Sequence, residues 1–447
     1  MIVISLSTIF SELDMLASIS AGNNVIEEHV KVMHISDSVE YLLDNPDAIR
    51  LTVSIEATGR SGSILLSNLF DGHPEVLSVP PYALSFYFEE FSEFLKMMDD
   101  NHLEISSNDV CIFIVKTFPY LFSETDHCTP GSTVHSDTCP VGVHVEYFKK
   151  YFSRCIDSLS TRDEVSIGNV FKAIHVAYAA AIGRNITARN PIIVWQRHFI
   201  YGTITESQVS ALVGNMVFFI TVRLPHVSTN QLFRHACTAP IKQDGGDYGF
   251  SCSGVLYSQV SGANRGKRPY PTFVIRFEDM HSRTEQLMRS LASYLGLIFD
   301  PILLETTLDG KPFYFSVRGM SVTGTSPDII FRQRSSSVNA LDAAKIRYAM
   351  SRYYRAWNYY DGKNAFDVIY RINVIRKLFS FIPMGIELRK FTRDLMFISR
   401  RFLRDRRRVV EMLNTIRNDS SGPVELFPIN GGHSHSSETS CADKPIK

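Results

Sequence analysis

The sequence predicts an α/β protein, a parallel β-sheet flanked by helices. Three observations carry that expectation. Residues 51–57 place Leu51, Val53, Ile55 and Ala57 on one face, then run through the turn Thr58-Gly59-Arg60-Ser61-Gly62-Ser63 into ILLSNLF. There Leu65, Leu66, Leu69 and Phe70 form one helical stripe, so the unit reads strand, glycine turn, helix. The run MVFFITV at 216–222 is almost continuously apolar, as suits a strand buried on both faces of a parallel sheet. Strand-like and helix-like segments also alternate through the middle of the chain, the pattern of crossover helices.

Taken in order, residues 1–50 read as a helical, partly acidic extension, and 51–365 as the α/β domain. After the first strand, further strands are expected at 110–115, 191–195, 216–222 and 272–276, with helices over 145–159 and 170–182. Beyond Met280, Ser282-x-x-Glu285 has the form of a capping box. Leu287, Leu291 and Leu295 make the apolar stripe that follows, and Gly296 stands where a helix ends. Residues 366–417 form a basic helical appendage: 371–417 holds 13 basic residues against 4 acidic ones, with Leu395, Met396, Ile398, Phe402 and Leu403 at roughly helical spacing. A solvated helical face is the plain reading, and docking on a membrane surface is the alternative. Residues 418–447 are polar and rich in Gly, Ser and His, and are expected to be disordered.

Composition sets outer limits. A chain of 447 residues that is 45% hydrophobic and 21% charged is neither disordered nor fibrous. With 46 basic residues against 46 acidic ones it has no basic footprint for nucleic acid. Seven cysteines, odd in number and irregularly spaced, suit reduced thiols and a cytoplasmic location. The opening MIVISLSTIF lacks a basic n-region, and no stretch approaches the ~20 apolar residues of a membrane span. His127, Cys128, His135 and Cys139 match no standard zinc spacing, so no metal is expected.

The chemistry concentrates in the first turn. A helix start has N–H groups without internal acceptors and a partial positive charge, so it can hold an anion. Gly59 and Gly62 allow close backbone approach, Arg60 adds a cation, and Ser61 and Ser63 add hydroxyls. An ordinary strand-to-helix turn with incidental glycines is the other reading of the same residues. The pattern is not a Walker A motif, which needs a second glycine five residues after Gly59, where Ile64 stands, followed by Lys-Ser/Thr, so a magnesium-dependent kinase is disfavoured.

Read further, TGRSGSILLSNLFDGHPEVLSVP (58–80) resembles the 5′-phosphosulfate loop of sulfotransferases. FFITVRLPHVSTNQLFRH (218–235) is similar to the family's 3′-phosphate segment, and FVIRFEDMHSRTEQLMRSLASYLGLIFDPILLE (273–305) to its later strand-to-helix stretch. Arg332 and Arg334 fall in what reads as a C-terminal loop, where the family supplies further 3′-phosphate contacts. The resemblance spans about residues 51–360 and implies a P-loop NTPase-like sulfotransferase fold. It implies a co-substrate, 3′-phosphoadenosine 5′-phosphosulfate, and transfer of its sulfonate to a hydroxyl or amine on a glycan, lipid, peptide or small molecule. Arg60, Ser61, Gly62, Ser63 and Ile64 would hold the 5′ end; Arg223, Ser228, Gln231, Arg332 and Arg334 the 3′ end.

For the base, the resemblance points to His198, which closes PIIVWQRH, with Glu75 and His73 as alternatives. Three departures stand out. Ile64 replaces a threonine, Gln231 replaces a phosphate-binding serine for which Ser228 could substitute, and Gln196 replaces a lysine before the histidine. Glu278 and Asp279 are expected to orient local backbone, and the aromatic stretch 82–94 to pack or to line an acceptor cleft. A non-catalytic nucleotide-binding protein of the same fold is the alternative reading of the whole.

Overall fold

Five parallel strands form the central sheet, in the order β2-β3-β1-β4-β5: β1 Leu51–Ala57, β2 Val76–Ser78, β3 Ile192–Arg197, β4 Met216–Val222 and β5 Thr272–Arg276. The computed structural model describes residues 35–57, 61–102, 105–122, 143–162, 165–197, 206–229, 270–317, 320–334, 340–359 and 372, then 410–418 without 412, and 423–429. Two compact units, Met1–Ile35 and Ser36–Lys447, divide the chain, and the sheet belongs to the second. Within that unit, α1 (Asp37–Asp44) packs on α5 (Val145–Thr161) and α6 (Ile167–Ala181), so residues 36–50 are part of the α/β body and not of a separate extension.

One face of the sheet carries Leu51, Val53 and Ile55 against α2 (Ser63–Phe70), through Leu65, Leu66, Leu69 and Phe70. Leu287, Leu291 and Leu295 of α9 (Thr284–Leu295) complete that layer. On the other face Phe88 of α3 (Tyr87–Asp100) and Phe171 of α6 meet Trp195 of β3, with ring centroids 5.5 and 5.1 Å away. Farther along that face, Ile220, Val222 and Val274 pack with Ile346 and Met350 of the α11 region (Ala340–Ala349) and Tyr353 and Trp357 around α12 (Ser351–Ala356). Among the described residues no helix is long and apolar enough to cross a membrane.

The structure corrects three sequence readings. Residues 110–115 are not a strand but the middle of α4 (Ser107–Thr117), which a reciprocal capping box between Ser106 and Asp109 starts; Phe113 stacks on Phe94 of α3, centroids 4.5 Å apart. Its apolar, β-branched run hides the helical cap. The Ser282–Glu285 capping box does not form, because Ser282 ends α8 (Phe277–Ser282) and its hydroxyl bonds back to the Glu278 carbonyl. Gly296 does end α9, at φ 64°. Finally, residues 423–429 are not a loose tail. They run parallel to β5, with Val274 N–H to Glu425 O at 2.8 Å and Phe427 N–H to Val274 O at 2.9 Å, while Phe427 enters the core.

Further described helices include α7 (Glu206–Val213) and α10 (Pro327–Arg334), the latter packed on α8. Ile416 and Arg417, at the end of the basic segment, also meet the body: Ile416 is buried with Tyr353 and Trp357, and Arg417 lies over Tyr348. The rest of 371–417, apart from residues 372, 410, 411 and 413–415, lies outside the described residues, as do His127, Cys128, His135 and Cys139.

Candidate functional site

The chain leaves β1 towards one edge of the sheet, by way of α2 to β2, and leaves β4 towards the other, to β5. Adjacent strands whose connections diverge leave a crevice at their carboxyl ends, where open parallel sheets bind ligands. The first turn and Arg223 both stand there, one after β1 and the other after β4.

Gly62 takes φ 91° immediately before α2, a left-handed conformation that costs side-chain-bearing residues. Space excludes them too: a Cβ would lie 2.5 Å from Phe277 Cδ2 and 2.9 Å from Met280 Cε. The helix ladder starts with Leu66 N–H to Gly62 O at 3.0 Å, so the amides of Ser63 and Ile64 precede its first bond and point out of the helix start.

The two serines of the turn divide their work. The Ser61 and Thr221 hydroxyls share a hydrogen bond at 2.8 Å, and the Thr221 oxygen also lies 3.2 Å from the Glu56 carbonyl. Ser61 therefore braces the turn after β1 against β4. Ser63 instead accepts from Gln196 Nε2 at 2.7 Å and keeps its own proton to give.

Around Phe277 three features meet. Its ring packs under Gly62, the Arg223 guanidinium carbon lies 4.5 Å from its centroid, and the His281 ring stands edge-on at 4.5 Å. The Ser326 amide donates to His281 Nδ1 at 3.1 Å, so the imidazole proton sits on Nε2. Burial, and then the charge of Arg223, push the His281 pKa down to about 4, which keeps the ring neutral. Asp279 takes both Arg276 and Arg283, and Glu278 accepts the Leu224 amide at 3.1 Å, so this acidic pair orients backbone and arginines as expected.

At the end of β3, Arg197 is buried and its Nη2 donates to Glu89 Oε1 of α3 at 2.9 Å. Glu56 of β1 stands in register with Arg197, so its buried carboxylate shares that face of the sheet. The second oxygen of Glu89 is buried and has no hydrogen-bond partner among the described residues. Sequence reasoning missed Glu56 and Glu89. The buried Glu56, in a strand otherwise of apolar and small residues, was the available signal; Glu89 sat unremarked inside an aromatic run.

The predicted residues separate accordingly. Ser61, Gly62, Ser63, Ile64 and Arg223 gather at the carboxyl edge, and Ser228 lies fully buried in the helical backbone that opens at Pro225. Arg332 and Arg334 end the helix α10 and do not lie in the expected loop, their side chains being outside the described ones; Arg60, His198 and Gln231 lie outside the described residues altogether. Glu75 and His73 are at the wrong end of the sheet. The Glu75 carbonyl accepts from Ile192 at the start of β3, its carboxylate takes the Ile298 amide at 3.1 Å, and His73 bonds the Ile298 carbonyl at 2.9 Å. Both tie the amino-terminal edge to the α9 exit, at the end of the sheet away from the first turn.

No protein-family model matches the chain, and no curated protein matches it. Solved structures similar in part include two sulfotransferase domains. The sulfotransferase domain of the Synechococcus PCC 7002 olefin synthase is 13% identical, covering 70% of this chain and 96% of that domain, at a TM-score of 0.37. The sulfotransferase domain of the curacin biosynthetic pathway is 15% identical, covering 71% and 95%, at a TM-score of 0.32. The functional reading therefore rests on the residues of the site.

Proposed function

We propose that the chain is a sulfotransferase that moves the sulfonate of 3′-phosphoadenosine 5′-phosphosulfate to a hydroxyl or amine. One observation carries the reading: a helix-start anion turn and a strand-end arginine stand at the carboxyl ends of adjacent parallel strands, joined through Ser61, Thr221 and the Phe277 ring. That arrangement suits a ligand with anions at two places, and the missing Walker Lys-Ser/Thr argues against a magnesium-held triphosphate.

In this reading the amides of Ser63 and Ile64, the Ser63 hydroxyl and Arg60 hold the 5′-phosphosulfate. They would stabilise charge that grows on the bridging oxygen as the sulfonate leaves. Arg223 takes the 3′-phosphate, with Ser228, Gln231, Arg332 and Arg334 as further contacts. His198, the residue after Arg197, is the proposed base that takes the acceptor's proton. Glu89, held by Arg197, replaces Glu75 as the carboxylate alternative.

The test is binding followed by turnover. Adenosine 3′,5′-bisphosphate should raise the melting temperature by mass action, and ATP with magnesium should not. Labelled sulfonate from the donor should then appear in lipid, glycan or metabolite fractions, and His198→Ala should slow that transfer by about 10²–10⁴-fold. Stabilisation by ATP-magnesium alone overturns the reading. Nucleotide binding without transfer to any fraction leaves a non-catalytic nucleotide-binding protein.

A further inference from the structure

We propose that Glu278, Tyr354 and Tyr359 form a positioning device for Arg223, through which the C-terminal part of the chain sets how the 3′-phosphate end of the nucleotide is gripped. The inference rests on the function proposed above and extends it to residues far from the turn.

A helix start after a strand would ordinarily offer its amides to an anion. After β4 every such amide is already used. Leu224 N–H goes to Glu278 Oε1 at 3.1 Å, Pro225 has none, and His226 N–H goes to the Tyr354 hydroxyl at 3.3 Å. Val227 N–H and Ser228 N–H both return to the Leu224 carbonyl, at 2.9 and 3.0 Å. An anion at this corner must therefore be held by side chains, and the strength of that hold depends on where the backbone after β4 aims Arg223.

That backbone is fixed from the C-terminal side. Tyr359 donates its hydroxyl proton to Glu278 Oε2 at 2.7 Å, so one carboxylate bridges Leu224 and Tyr359. Tyr354 also bonds His226 Nδ1 at 2.7 Å, and its carbonyl accepts Tyr359 N–H at 2.8 Å. Arg276 Nη1 holds the Trp357 and Asn358 carbonyls at 3.0 and 3.1 Å, and the Trp357 indole donates to Val424 O at 3.1 Å. Hydrogen bonds thus run from the segment beside β5 to the amide next to Arg223. Since Glu278 meets Leu224 and not the guanidinium, its part is to orient and not to bind.

The experiment compares two nucleotides, adenosine 3′,5′-bisphosphate and adenosine 5′-monophosphate, by calorimetry on the full chain. Glu278→Ala should cut the preference for the bisphosphate at least tenfold and leave monophosphate affinity within about twofold. Glu278→Gln keeps an oxygen for Leu224 and should retain the preference within about threefold. Tyr354→Phe combined with Tyr359→Phe, milder for folding, should fall between the two. Lowered melting temperature with an unchanged preference in Glu278→Ala and in the double variant means a merely structural cluster and overturns the inference. A wild-type protein that binds nucleotide but shows no preference overturns instead the 3′-phosphate reading on which the inference stands.

Discussion

At the amino-terminal edge of the sheet His73 and Glu75 grip the backbone of Ile298, while at the carboxyl edge Ser63, Arg223 and His281 gather round a glycine turn and the ring of Phe277. Both edges hold histidine, acid and hydroxyl groups. At the first, side chains serve backbone and loop. Beside it Asp71 collects Arg184 at 2.9 Å, Ser78 at 2.6 Å and the Gly310 amide at 2.8 Å, a network sealed from water. At the second, helix-start amides are left without intrahelical acceptors, and the Ser63 hydroxyl accepts from Gln196. Residue type does not separate clamp from site; the direction of the donors does.

The largest expected effect is at the clamp. Asp71→Ala leaves the buried Arg184 without its carboxylate and should cost about 3–5 kcal/mol in urea unfolding, with nucleotide affinity of the folded protein unchanged. The same group predicts acid sensitivity. Burial alone would raise the Asp71 pKa, but Arg184 and the hydrogen bonds of Ser78, Gly310 and Thr307 outweigh it and the folded value is lowered. Its stabilisation is thus full above the unfolded value, about 3.9, and lost as pH falls through the folded one. Asp71→Asn should flatten that acid limb of the stability curve; an unaltered limb assigns the sensitivity elsewhere.

Next comes Arg223→Ala. A charge-assisted hydrogen bond is worth roughly 1.5–3 kcal/mol, so discrimination between nucleotides with and without a 3′-phosphate should fall about 10–100-fold for each such bond that the arginine supplies. Calorimetry that finds equal discrimination in both proteins removes Arg223 from the site.

Gly62→Ala should follow, at about 1–3 kcal/mol of stability from its left-handed φ, together with weaker nucleotide binding as Phe277 is pushed aside. Reduced stability with binding intact would mean that the turn is only structural. The smallest effect is expected from Glu75→Gln, which keeps an acceptor for the Ile298 amide: turnover unchanged and stability lower by at most about 1 kcal/mol. A large drop in turnover there would reverse the comparison of the two edges.

Much of the scaffold was legible because its signals are local. Alternation in 51–57, the apolar run 216–222 and the stripe of α2 each need only their own neighbours, and β1, β4 and α2 form where expected. The strand β2 escaped because three residues carry no periodicity, and α4 was misread because six apolar residues suit either element. Of the site, Gly62 and Arg223 could be picked out as a turn residue and a strand-end cation. Glu89 could not, since its meeting with Arg197 joins residues 108 positions apart.

The sequence by itself determined that a glycine turn links the first strand to a helix and that an arginine closes the most apolar strand, because backbone freedom and hydrophobic period are properties of short windows. Only the tertiary structure decided which end of the sheet each polar residue occupies, and therefore that Glu75 clamps the amino-terminal edge while Ser63 stands at the carboxyl edge beside Gln196. It also decided that the Ser61 hydroxyl pairs with that of Thr221 and that residues 423–429 lie along β5. Strand order and the placing of hydrogen-bond partners depend on contacts between segments far apart in the chain, which no short window of sequence contains.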